Sequence, residues 1–114
     1  MKIRHYSFGK VIIDNKEYRE DLIVFSDTTY SPWWRKEGHG LCMSDLEKIF
    51  NKNIDTLIIG TGAYGRMKVS ENLINELRAK GIETYVMETD KAISLFNQLL
   101  EERKKVAGAF HLTC

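Results

Sequence analysis

The residues best suited by type and spacing to do chemistry are GTGAYG, residues 60–65, which follow the apolar run TLII and precede RMK. A GxGxxG at a strand end is how a dinucleotide-binding turn begins. The second glycine admits a pyrophosphate to the backbone, and the third lets the next helix pack closely with its N-terminus toward the phosphates. Two features oppose that use. The better helix start is Ser70 with Glu71, an N-cap and an acidic first turn, which leaves RMKV in the loop. The acidic residue ending the next strand, Glu88, also stands well beyond the usual ~20 positions after the first glycine. A simpler anion site remains open, with the N–H groups of Gly60, Thr61, Gly62 and Gly65 forming a concavity beside Arg66 and Lys68. The preferred explanation is conformational, with glycines supplying positive φ at a tight strand exit and both basic side chains solvated.

Two other constellations carry chemical potential. In WWRKEGHG, residues 33–40, neighbouring side chains of an extended segment point to opposite faces, so Trp33 and Trp34 are not both expected in the core. An exposed tryptophan beside Arg35, Lys36 and His39 has the composition of a protein-interaction hot spot, although arginine stacked on tryptophan inside the fold would look the same. Two HxxC pairs, His39 with Cys42 and His111 with Cys114, would together supply a tetrahedral zinc set. Residues three apart on a strand face opposite sides, so incidental cysteines are preferred and no metal or cofactor is expected. The chain has no GxSxG, HExxH or GxxxxGK[ST] motif, and a Cys114 thiolate with His111 as base ranks low, so no catalytic residue is assigned.

The elements that must position these residues are readable from periodicity. The first quarter predicts antiparallel strands in IRHYSF, KVII and, after a turn at residues 14–16, a single long strand EYREDLIVF ending at Phe25. TTYSPWW is at most an edge strand because Pro32 cannot donate to a ladder. A capping box of Ser44 and Glu47 starts a helix with Leu46, Ile49 and Phe50 on one face. Alternation follows: strand 56–59, helix 71–80 capped by Gly81, strand 82–87, helix 90–103 and strand 106–111. Right-handed crossovers lay the last three strands parallel, with the N-terminal strands extending or covering their sheet. GTGAYG, Glu88 with Thr89, and the closing HLTC then converge at the carboxyl edge, where ligands of such sheets bind. The fold class is therefore α/β, in three layers: a mixed central sheet whose C-terminal part is a parallel βαβαβ unit, plus N-terminal antiparallel strands.

At 114 residues the chain is expected to form one domain that buries roughly two thirds of its unfolded surface. Its net charge of +1 gives no field to draw nucleic acid or an anionic membrane surface. No apolar run approaches the ~20 residues that span a membrane. No secretory signal is visible and the cysteines are few, so a cytoplasmic, reducing location is expected.

Taken together, IRHYSFGKVIID, WWRKEGH, DTLIIGTGAYGRMKV and VAGAFHLTC resemble, in order and across the whole chain, a family of small proteins of unknown biochemical function. The eukaryotic adipogenesis-associated domain protein and a mitochondrial assembly factor of respiratory complex I are among its members. The resemblance implies a three-layer α/β fold and no catalytic mechanism. It carries family motif positions onto Trp33, Trp34, Arg35, Lys36, His39, Gly60, Gly62, Gly65, Met67, Lys68, His111, Thr113 and Cys114. Cys42 lies outside that pattern, which weakens the zinc set further. The expectation is a non-enzymatic protein-binding or assembly module that uses the 33–39 segment with the glycine-loop edge. The alternative is a small-molecule or anion-binding protein with a pocket among GTGAYG, Arg66, Lys68 and the tail, including Thr113.

Overall fold

The structure, a computed structural model, describes residues 2–114. Its strands and helices are, in chain order, β1 Ile3–Ser7, β2 Lys10–Ile13, β3 Lys16–Tyr18, β4 Leu22–Val24, β5 Thr29–Tyr30, a 3₁₀ turn Met43–Leu46 running into α1 Glu47–Phe50, β6 Thr56–Gly60, α2 Glu71–Ala79, β7 Glu83–Met87, α3 Thr89–Glu101 and β8 Val106–Phe110. A five-stranded sheet has the order β5-β4-β8-β6-β7, with β8, β6 and β7 parallel and β4 antiparallel to both of its neighbours. A separate antiparallel sheet has the order β1-β2-β3. The fold is the α/β class expected, in three layers.

Side-chain alternation builds those layers. Ile23, Leu57, Ile59, Ala107 and Ala109 face one way and pack under Leu46, Ile49, Leu73 and Leu77, from the short helix and α2. Leu22, Val24, Ile58, Val106 and Phe110 face the other way, against Ala92, Ile93 and Phe96 of α3 and Ile3, Val11 and Ile13 of the small sheet. Strands β4, β6 and β8 are buried along their whole length, as central strands covered on both faces must be. Placing α2 and α3 on opposite faces is what right-handed crossovers from β6 to β7 and from β7 back to β8 require.

Two local expectations are corrected. EYREDLIVF is not one strand: β3 ends at Tyr18, β4 begins at Leu22, and they belong to different sheets. Between them stands Asp21, whose carboxylate is turned to the distant tail, meeting His111 Nδ1 and the Leu112 N–H. The helix after the WW segment starts earlier than the Ser44 box, with the Asp45 carboxylate accepting from the Cys42 N–H at 2.9 Å. The chain there winds first as 3₁₀, so Leu46 and Ile49 are buried while Phe50 is exposed. By contrast, Ser70 caps α2 by accepting from the Leu73 N–H at 3.1 Å, which keeps residues 61–70 out of the helix.

Candidate functional site

The three strand ends do meet, and what fills their junction is the chain's own tail. Ala63 N–H donates to the Thr113 carbonyl at 2.6 Å and Arg66 N–H to the Cys114 carbonyl at 2.9 Å. The amides proposed for an anion site are occupied too, Thr61 N–H by the Met87 carbonyl, Gly65 N–H by the Gly62 carbonyl and Gly62 N–H by the Thr89 hydroxyl. Gly62, at φ 108°, explains the glycine: a Cβ there would stand 2.5 Å from the Cys114 carbonyl carbon. Gly60 is needed for a neighbouring reason, since its Cβ would meet the Thr89 hydroxyl at 2.8 Å. That hydroxyl is a buried clasp, accepting from Gly62 N–H at 2.8 Å and donating to the His111 carbonyl at 2.6 Å. Thr61 is buried, with its hydroxyl on the Met87 carbonyl at 3.1 Å, and Gly65 takes φ 67°. Arg66 and Lys68 are exposed. Lys68 contributes its backbone, which pairs with residues 39–41 and draws the 33–39 segment to the same edge.

Under that segment lies a charged cluster that sequence reasoning missed. Asp21 receives Arg35 Nη1 at 2.6 Å, His111 Nδ1 at 2.7 Å and the Leu112 N–H at 2.8 Å. Burial alone would raise the Asp21 carboxyl, but the hydrogen bonds from His111, Leu112 and Arg35, with the His111 charge, outweigh it and hold the group below its ordinary value. Because Asp21 takes the Nδ1 proton, Nε2 of His111 is left buried without a partner among the described residues. Arg35 also donates to the Gly38 carbonyl at 3.0 Å and lays its guanidinium 4.9 Å over the Trp33 ring, and its buried Nε has no hydrogen-bond partner among the described residues. The only hint of Asp21 in the sequence is a charge directly before the apolar LIVF, a signal too common to single it out.

Each candidate residue of the 33–39 segment now has a place. Trp33 is core, its indole N–H donating to the Asp45 carbonyl at 2.8 Å. Arg35 is mostly internal, with a side chain 5% exposed, and reaches the surface only as part of the wall of a groove beside Trp34. Trp34, 79% exposed, is the residue that the alternation turns to solvent. Lys36 and His39 are exposed as well. The HxxC spacings do not act as units: Cys114 Sγ lies 3.9 Å from His39 Nε2, whereas His111 turns to Asp21. Among the described residues no group of three or more His, Cys, Asp or Glu is placed to hold a metal ion. Phe8 and Tyr64, both exposed, pair at 6.0 Å between centroids and add a second aromatic surface.

The fold defines a class, small three-layer α/β proteins, and in this chain the closing segment is hydrogen-bonded to the glycine loop and joined through a part-buried Asp-Arg-His group to an aromatic segment. The chain belongs to the family described as "Protein of unknown function (DUF498/DUF598)", whose model matches residues 3–111. It is similar to the conserved hypothetical protein PH1505 from Pyrococcus horikoshii OT3, at 27% identity over 100% of both chains with a TM-score of 0.78. The Rpa2829 protein from Rhodopseudomonas palustris is 27% identical, over 96% of this chain and 81% of that one, with a TM-score of 0.79. A protein described as an outer membrane protein from Bartonella henselae is 25% identical, over 98% and 94%, with a TM-score of 0.82. No helix among the described residues is long and apolar enough to cross a membrane.

Proposed function

We propose that this chain is a non-enzymatic binding or assembly module that holds another protein through the outer face of its 33–39 segment, with Trp34 at the centre and the glycine-loop edge beside it. One observation carries this reading. A tryptophan 79% exposed is held on a backbone whose two neighbours are fixed, Trp33 in the core and Arg35 on Asp21. A solvent-facing tryptophan on a backbone already fixed at both neighbours is the kind of residue that dominates protein interfaces. The resemblance to a family that includes a complex I assembly factor supports a role of that kind. The anion-pocket alternative is disfavoured by the tail carbonyls on the loop amides.

The test is site-specific photocrosslinking in cells, with benzoylphenylalanine replacing Trp34 in the full chain and, as control, replacing the exposed Ser94 of α3. Discrete protein adducts from position 34 and none from position 94 are expected. A folded Trp34-substituted protein that gives no adduct would overturn the reading.

A further inference from the structure

Resting on that protein-holding reading, we infer that the partner presents a basic segment, with a lysine or arginine side chain laid over the Trp34 indole. Beside Trp34 runs a groove of about 400 Å³ whose walls include Glu20, Asp21, Trp34, Arg35 and Glu37, with Arg35 its one cationic residue. Its charges are unequal in availability. Asp21 is spent on Arg35 and His111, whereas Glu20 and Glu37 are exposed and form no ion pair among the described residues. The nearest cations do not neutralise them. Arg35 is bound to Asp21, and Lys48, on the far side of Trp34, stacks 4.5 Å over Tyr30. Lys36 is exposed on the same segment but does not line this groove.

An open aromatic face flanked by two free carboxylates selects by charge. A cation gains the ring quadrupole and both acidic side chains together. An acidic segment would meet like charge, and a purely apolar one would desolvate two carboxylates without pairing them. The chain already contains this recognition unit on its inner side, where the Arg35 guanidinium lies 4.9 Å over Trp33 with Asp21 against it. Trp34 with Glu20 and Glu37 repeats the same chemistry outward with the cation left for the partner.

The experiment is a random-peptide display selection on the full-length chain, run in parallel on Trp34→Ala and on Glu20→Gln/Glu37→Gln. The selected peptides are then resynthesised and titrated at low and high salt. Peptides lost with Trp34→Ala, enriched in Lys and Arg, and weakened about tenfold by the double glutamine variant and by salt are the expected result. Trp34-dependent peptides that are apolar or acidic, or that ignore both glutamate changes, would overturn the basic partner while leaving the protein-holding surface in place. If no selected peptide depends on Trp34, both fall. Thermal midpoints of the variants, all at exposed positions, should match the parent and so separate lost recognition from lost fold.

Discussion

Asp21→Asn is the sharpest perturbation of this fold, because the substitution keeps size and shape while removing one charge. The carboxylate accepts three donors: Arg35 Nη1 and His111 Nδ1 on one oxygen and the Leu112 N–H on the other. An asparagine must aim its NH₂ either at Arg35 and His111 or at Leu112, so a donor faces a donor in both orientations. It also strands a guanidinium whose side chain is only 5% exposed. Removing one partner of such a buried pair costs about 3–5 kcal/mol, out of a total stability on the order of 5–15 kcal/mol. At roughly 4 °C per kcal/mol for a chain of this size, the midpoint should fall by about 12–20 °C in scanning calorimetry at neutral pH. Asp21→Asn/Arg35→Met, which removes the stranded charge as well, should recover part of that loss. The sign with pH follows from the lowered carboxyl: Asp21 stabilises the fold above its ordinary value of 3.8, and this is lost as pH falls through its lower folded value. The gap between parent and variant should therefore be full from about pH 5 upward and close in more acid solution. A loss under about 1 kcal/mol, or one that Arg35→Met does not relieve, would refute the assignment of this cluster as the tie between tail and segment.

Two further outcomes follow from the same edge. Gly62→Ala places a methyl 2.5 Å from the Cys114 carbonyl and 2.9 Å from His111 Cδ2, at φ 108°. It should cost about 2–4 kcal/mol and speed hydrogen exchange at the Ala63 and Arg66 amides, and unchanged protection there would show that the tail does not occupy the loop. Tyr6 donates to the Leu112 carbonyl at 2.8 Å, and burial, followed by Asp90, Asp21 and Tyr64, pushes its phenol up to about 12. Absorbance titration should find a tyrosine that ionises at about 12 and is lost in Tyr6→Phe. Its stabilising share should be intact below the ordinary phenol value of 10.0 and disappear as pH rises toward 12.

Elements with their own periodicity were legible in the sequence. The 3.6-residue spacing of Ala92, Ile93 and Phe96 and the Ser70 cap belong to α3 and α2 as the chain winds them, and the glycine of the α2 exit takes φ 84°. The convergence of the glycine loop, Thr89 and the tail was legible too, because it follows from crossover handedness and not from any side chain. The break in EYREDLIVF was not. The charged run Arg19, Glu20 and Asp21 is a weak strand signal that the flanking apolar residues mask, and the partners Asp21 takes there, His111 and Leu112, lie some 90 positions away, where local pattern carries no information. The Ser44 box failed more narrowly, since a serine with glutamate three residues on satisfies the motif while the backbone is capped two residues earlier by Asp45.

The glycine motif shows how a correct local inference can point to the wrong occupant. Three glycines and a late helix start do make a concavity of amides that wants oxygen, as the GxGxxG chemistry implies. The amides of Thr61, Gly62 and Gly65 are met by the Met87 carbonyl, the Thr89 hydroxyl and the Gly62 carbonyl, while the carbonyls of residues 113 and 114, which arrive because β8 lies beside β6 and ends at the same edge, take the Ala63 and Arg66 N–H groups. Once the tail is seated, His111 and Leu112 are fixed over Asp21, Asp21 fixes Arg35, and Arg35 pins the backbone beside Trp34. Alternation then leaves Trp34 only the outward direction. The glycine loop, read in the sequence chiefly as a conformational device, is thus joined through the tail, Asp21 and Arg35 to the segment that carries Trp34.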